Sequence, residues 1–477
     1  MSAGATLREI AELPGPRGWP VVGNSLQVKR AQIHRDVERW AEQHGPLFHI
    51  SFGPRPVLCV ADHEMISALL RDRPDGFRRS TVLERIGKEM GLTPGLFGAN
   101  GDAWRRQRRM VMGAFDPGHV RAYFPSLLRV AKRLHGRWQR AVQGGAEIEL
   151  QPELMRFTVD AISGLAFGAD VNTLESDDEI IQRHLDKIFP ALFRRVFSVF
   201  PIWRYWRSAR DRELEHSVAE VNAAIAGFVA DARARLTADV ERRAHPPNLL
   251  EAIIVAAESD TGGPHGSVTD AEVSGNVLTM LLAGEDTTAN TLAWLLHLLH
   301  AHPDALRRAR DEVRSVAGNL DEFTPERIGA LDYLEACANE AMRLKPVAPF
   351  QVVEALRDTT IGDVRVPKDS VIWCVMRHDS LGERHFPDAR AFRPERWLGD
   401  GAAASGASAK RVSMPFGSGP RVCPGRYLAL LEIKLVMAML LAHFEIERVA
   451  APGDAEVQEQ MAFTMMPIGL RMRLRER

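Results

Sequence analysis

A single thiol, Cys423, stands in the run Phe416-Gly417-Ser418-Gly419-Pro420-Arg421-Val422-Cys423-Pro424-Gly425, just ahead of an apolar helical stretch from Tyr427 to Leu440. Gly417, Gly419 and Gly425 permit backbone conformations and close approaches that a side chain forbids, so the loop can lie flat against a planar group. Pro424 suits the first helical position. Cys423 then sits at the positive end of a helix dipole, which lowers a thiol's pKa and favours the thiolate, the form that ligates metal. Cys59, Cys337 and Cys374 have no such loop and read as small buried hydrophobes.

A second constellation lies in the apolar helical run Val273 to Leu299, interrupted by Ala283-Gly284-Glu285-Asp286-Thr287-Thr288. Glycine costs about 1 kcal/mol against alanine in a helix, and threonine hydroxyls can bond preceding carbonyls and bend it, so a break and a groove are expected here. An acid and an alcohol side by side, Asp286 and Thr287, suit the delivery of protons to reduced oxygen. Glu340 and Arg343 stand three apart on a helix that Pro346 helps end, and share a face. Trp104 and Arg108 stand one turn apart, both able to donate to a carboxylate.

Phe416, Gly419, Arg421, Cys423 and Gly425 together match F-x-x-G-x-R-x-C-x-G, and Ala429 and Glu432 continue the pattern, with Leu428 in place of the usual aromatic. On these residues the chain resembles the cytochrome P450 family. The resemblance implies a mainly α fold with small β-sheets, one domain over residues 1–477, and a long central helix over a haem b, iron protoporphyrin IX. Cys423 is then the iron's ligand, and a thiolate there favours O–O cleavage. Phe416, Ala283 and Gly284 border the haem; Trp104, Arg108 and Arg421 hold its propionates, as does His378, in Arg377-His378-Asp379 where relatives often read H-R-D. The family often has a further arginine after Pro349, where this chain has Val353. Thr287 steadies bound oxygen and Asp286 relays protons. Arg396, in Phe392-Arg393-Pro394-Glu395-Arg396-Trp397, completes a buried structural network with Glu340 and Arg343.

The function so implied is a haem-thiolate monooxygenase acting as a monomer on a lipophilic small molecule, such as a fatty acid, terpenoid or steroid. Pocket walls by family position are Leu282, Ala283, Ala348, Pro349, Phe350, Phe463, Thr464 and Met465, mostly apolar. A peroxide-driven peroxygenase, a haem-thiolate isomerase and a haem-binding sensor keep Cys423 as well; the acid-alcohol pair favours the monooxygenase. Arg105, Arg106, Arg109, Lys410, Arg411 and Arg426 would form a basic face steering an acidic ferredoxin or flavodoxin-type electron donor. No G-x-G-x-x-G unit accompanies a βαβ pattern, so electrons are expected from another protein.

The 477 residues are 45% hydrophobic and 26% charged with a formal net charge of −1, the composition of a soluble globular protein without a nucleic-acid footprint. Four scattered cysteines make no disulfide framework, and Met1 to Arg8 holds neither a signal-peptide core nor a membrane anchor, so a cytoplasmic location is expected. Residues 1–25 form a stiff proline-rich lead-in or a plain tail, and Leu47 to Phe52, a Gly53-Pro54 turn and Val57 to Val60 a hairpin. Between Ala191 and Arg210 aromatics alternate with arginines. Three readings fit that segment: a lid over the substrate channel, a packed helix pair with a basic edge, or a surface that touches membranes. Residues 399–409 read as a mobile Ala/Gly/Ser loop.

Overall fold

Apolar residues on every side of the stretch Asp270–Ala301 require burial all round, and it forms one 32-residue helix at the centre of the fold. A capping box between Thr269 and Glu272 starts it. Helices Leu150–Phe167, Ala209–Ala238, Asp332–Leu344 and Arg426–His443 pack around it. The computed structural model describes residues 7–53, 55–115, 117–176, 180–259, 268–316, 318–399 and 409–477. Residues 1–6 of the lead-in, Pro54 of the expected turn and residues 400–408 of the expected loop lie outside these.

The central helix runs unbroken through Ala283 to Thr288, against the expected interruption. Gly284 has a packing role instead: a Cβ there would stand 2.9 Å from Ile162 Cγ1, so its absence lets Leu150–Phe167 approach. The Thr158 hydroxyl then crosses to the Glu285 carbonyl at 2.8 Å. Thr287 does send its hydroxyl to the Ala283 carbonyl, at 2.6 Å, without ending the helix.

The fold is mainly α with small sheets. The largest sheet orders its strands Leu47–Phe52, Arg55–Val60, Val371–Val375, Phe350–Ala355 and Phe77–Arg79. The hairpin pairs Leu47 with Val60 antiparallel. At the other edge Phe77–Arg79 runs antiparallel to Phe350–Ala355 and sets Arg79 opposite Val353. The lead-in is no loose tail: Arg8–Glu9 pairs in parallel with Val364–Val366, and Ile10 and Leu13 are buried. Among the described residues no helix is long and apolar enough to cross a membrane.

Glu340 and Arg343 face each other on Asp332–Leu344 with two contacts of 2.8 Å, both side chains fully buried. Arg396 reaches Glu340 at 3.2 Å, and Trp397 Nε1 donates to it at 2.9 Å. Arg343 also donates to the carbonyls of Ser380 and Ala389, so the network pins the segment that leads to the cysteine loop. One carboxylate holds two guanidiniums here. Glu340→Ala would strand two buried guanidiniums, with an expected loss of about 3–5 kcal/mol of stability. Urea denaturation followed by far-UV circular dichroism checks it; an unchanged midpoint would mean the network carries no net energy.

Candidate active site

Two glycines in the left-handed region shape the cysteine loop: Gly417 at φ 75° and Gly419 at φ 72°. Gly419 also abuts helix His63–Arg71, where a Cβ would meet the Leu70 carbonyl oxygen at 2.4 Å. The loop closes as the Cys423 amide donates to the Phe416 carbonyl at 3.0 Å. Helix Arg426–His443 begins two residues later than expected, with Gly425 as its cap and Pro424 outside it, while Tyr427 is 47% exposed rather than core. The Gly425 amide donates to the half-buried sulfur. Burial pushes the Cys423 thiol up; that amide, Arg108 and Arg426 push it down but do not prevail. The lowering expected from the helix end is therefore outweighed, and the anionic sulfur needs a bound cation, which deprotonates a thiol outright.

Around this loop gather four guanidiniums whose bonds, among the described residues, reach no carboxylate. Arg421 lies over Trp104 with 4.9 Å to the ring centre and donates to the Ala99 carbonyl, yet its Nε is buried without a partner. Arg79 stacks on Phe97 at 3.9 Å, and its Nε is equally orphaned. Arg73, 3% exposed, donates only to the carbonyls of Leu70 and Ser418, at 3.2 and 3.3 Å. Burial first, then the neighbouring guanidiniums, pushes Arg421 down to about 9 and Arg79 well below the usual arginine range. Burial takes Arg73 to about 10 and lowers Arg108, which senses Cys423. Buried charge without counter-charge is costly, so the site fits a group bearing carboxylates beside a metal that accepts sulfur. Haem, with two propionates and an iron, is such a group.

The structure thus brings Trp104, Arg108, Phe416, Arg421 and Cys423 together. His378 is not among them: its Nδ1 meets Asp379 at 3.2 Å, and that carboxylate raises its pKa. Arg73 and Arg79 escaped the sequence reading. Arg79 occupies the strand beside the position where Val353 stood in for an arginine, and only the register reveals it.

On the central helix Ala283 is exposed and Thr287 half-buried, both turned from the core. Asp286 accepts from Asn290 Nδ2 at 2.6 Å and from the Thr464 hydroxyl. Burial holds the Asp286 pKa above the usual carboxylate range despite those two bonds. Glu285, which has no role in the sequence reading beside the Asp286–Thr287 pair, is buried and hydrogen-bonded to Asp186 of helix Ile180–Val196. Burial and like charge raise both, Asp186 to about 6. Glu432 on the cysteine helix bonds Thr288, and burial pushes it up to about 8.

A cavity of about 1050 Å³ opens at Thr287 and is lined by Ala348, Phe350, Phe463 and Thr464, with Phe97, Phe193, Phe197 and Trp373. Phe463 stacks on Phe189 at 4.3 Å and Phe350 on Trp373 at 5.5 Å. Leu282, Pro349 and Met465 do not line it. All three are buried in the packing, with Met465 sulfur 3.5 Å from Arg377. The 191–210 segment does two of the things expected: Phe193, Phe197 and Val199 wall the cavity, and Ile180–Val196 packs on Ala209–Ala238. Phe200, Ile202, Tyr205 and Trp206 stay exposed, while Arg195 and Arg204 pair with Asp211 and Glu89. The basic face is thinner than expected, because Arg105 is paired with Asp75 and Asp102, and Arg106 with Glu272.

Comparison with known proteins agrees with this geometry. The family model for cytochrome P450 matches residues 13–473. The chain is 27% identical over 427 residues to the chloroplastic protein LUTEIN DEFICIENT 5 of Arabidopsis thaliana, covering 87% of this chain and 69% of that one. It is 29% identical to a cytokinin hydroxylase of the same plant, covering 92% and 86%. A self-sufficient cytochrome P450 monooxygenase, CYP505E3 of Phanerodontia chrysosporium, is 28% identical over 95% of this chain but 42% of its own length.

Glu432 gives a pH signature. It stays protonated in the folded protein up to about pH 8 but ionises near 4.5 when unfolded. The unfolded chain therefore releases a proton that the folded one keeps, and stability falls as pH rises between those values. Glu432→Gln should flatten that decline, read as a smaller difference between urea midpoints at about pH 5 and about pH 8. An equal difference in both proteins would assign the decline to other groups.

Proposed function

The chain belongs to the cytochrome P450 family, as a haem-thiolate monooxygenase, and we propose that it oxygenates a lipophilic substrate held in the aromatic cavity beside Thr287. The observation that carries this reading is the cluster of buried, unneutralised arginines beside the Cys423 loop. Cys423 would ligate the iron of a haem b, and Trp104, Arg79, Arg108 and Arg421 would bind its propionates; the bound haem supplies dioxygen activation.

The chain's own residues supply position, exclusion of water and protons. The aromatic walls present apolar surface on several sides, which suits fatty-acid, terpenoid and steroid skeletons and disfavours bulk water near the reacting carbon. Thr287 commits its hydroxyl proton to Ala283, so its oxygen offers lone pairs to a donor in the cavity. Asp286 keeps its proton more readily than an exposed carboxyl, and the Thr464 and Asn290 bonds fix its orientation. The Asp186–Glu285 pair, one residue along, holds a proton between two carboxyls and can refill Asp286 from the lid side. Electrons come from a separate ferredoxin or flavodoxin-type protein that docks on exposed Arg109, Lys410 and Arg411.

A ligand library scanned by difference absorbance, followed by product analysis with a surrogate redox pair, tests the reading; reduction without any oxygenated product would overturn it. Cys423→Ser should abolish the long-wavelength Soret band of the reduced carbon monoxide complex. Retention of that band would remove Cys423 as ligand. Thr287→Ala should raise the share of electrons lost to peroxide or water, measured as reductant consumed per product. Unchanged coupling across several substrates would take proton positioning away from Thr287.

A further inference from the structure

Three imidazoles, one from the start of helix His63–Arg71 and two from the segment 378–385, converge on one carboxylate at the opposite end of that helix from the cysteine loop. Asp379 Oδ2 accepts the His63 backbone N–H at 2.8 Å and lies 2.8 Å from His63 Nδ1 and 3.5 Å from His385 Nε2. Its other oxygen lies 3.2 Å from His378 Nδ1. The His63 and His385 rings meet edge to face, 4.7 Å apart. The His63 side chain is 5% exposed, and its Nε2 is buried with no partner. Asp379 pairs with imidazoles alone, no lysine or arginine reaching it among the described residues.

We propose that His63, Asp379 and His385 form a binding site for a divalent transition-metal ion, zinc being the best match. One donor atom from each lies within 4.8 Å of the other two. Zinc bonds of about 2.0–2.1 Å in a tetrahedron put neighbouring donors roughly 3.3 Å apart. The Asp379–His385 distance of 3.5 Å is already close to that, and the 2.8 Å Asp379–His63 distance needs a small rotation of one side chain. Two imidazoles with one carboxylate is a borderline donor set that selects zinc, cobalt or nickel over magnesium and calcium, which prefer oxygen. Asp62 and Glu42 add negative charge nearby, against which Arg384 is the opposing cation. His378 or a water on the half-buried side would fill the fourth position.

The site has a mechanical meaning. Helix His63–Arg71 abuts Gly419 of the cysteine loop at its far end, and the turn Asp379–Leu381 gives its Ser380 carbonyl to Arg343. An ion bridging His63 to Asp379 and His385 would therefore tie the helix behind the thiol to the segment held by the Glu340 network. It would stabilise the folded protein by mass action without touching the thiolate.

Chelator-treated, desalted holoenzyme titrated with zinc chloride by calorimetry should take up one tight equivalent, and its thermal midpoint, followed by Soret absorbance, should rise with zinc. His385→Ala should weaken that uptake by roughly tenfold or more and lose the thermal shift, while keeping the carbon monoxide spectrum. His385→Cys, which restores a zinc donor, should keep both. Zinc anomalous scattering from soaked crystals should peak between the three side chains. No uptake by the natural protein, equal uptake by His385→Ala, or an anomalous peak elsewhere would each overturn the site.

Discussion

Positive charge buried without its counter-charge is the constraint on which the active side of this molecule depends. Arg73, Arg79 and Arg421 are drawn together around the Cys423 loop by carbonyl and aromatic contacts that satisfy geometry but not charge, and Arg108 stands beside the thiol. Burial lowers the pKa of each, and the neighbouring guanidiniums push Arg79 and Arg421 down further, which is free energy that the folded chain holds against itself. A ligand carrying two carboxylates relieves it. A ligand that binds the folded chain and not the unfolded one would add its binding free energy to the stability of this side of the protein.

The second arginine cluster, around Glu340, shows the opposite solution from the same residue type. There one carboxylate accepts from Arg343, Arg396 and Trp397, and the remaining guanidinium protons go to carbonyls. Nothing is left over for a ligand, so that cluster is scaffold. The contrast separates binding arginines from structural ones by a single criterion, the presence of a buried acid. Arg377 passes the same test: buried, doubly paired with Glu38 and Glu459, it is structural.

Legibility in the sequence followed the distance over which each feature is encoded. The cysteine loop, the Glu340–Arg343 spacing and the Leu47 to Val60 hairpin are local, and the residues themselves state them. Arg79 could not be read, because its place opposite Val353 arises from pairing between strands remote in the chain. Gly284 was misjudged for the same reason. A glycine inside a helix looks like a break until the neighbour that presses on it, Ile162, is known. His378 followed a family position whose residue order is changed here, and the changed order turns its ring to Asp379.

The central helix is where charge and hydrogen bonding decide more than packing. Glu285, Asp286 and, through Thr288, Glu432 put three carboxyl groups on or against four consecutive residues, and burial favours the neutral form of each. A neutral carboxyl is both donor and acceptor, whereas a carboxylate only accepts. This stretch of helix can therefore hold protons, and no lysine pairs with its acids among the described residues. Thr287, set between Asp286 and Thr288 with its own proton fixed on Ala283, is the one hydroxyl of the group that lines the cavity from this helix. The helix runs unbroken past that side chain, and Gly284 leaves room for Ile162 to close against it one turn away.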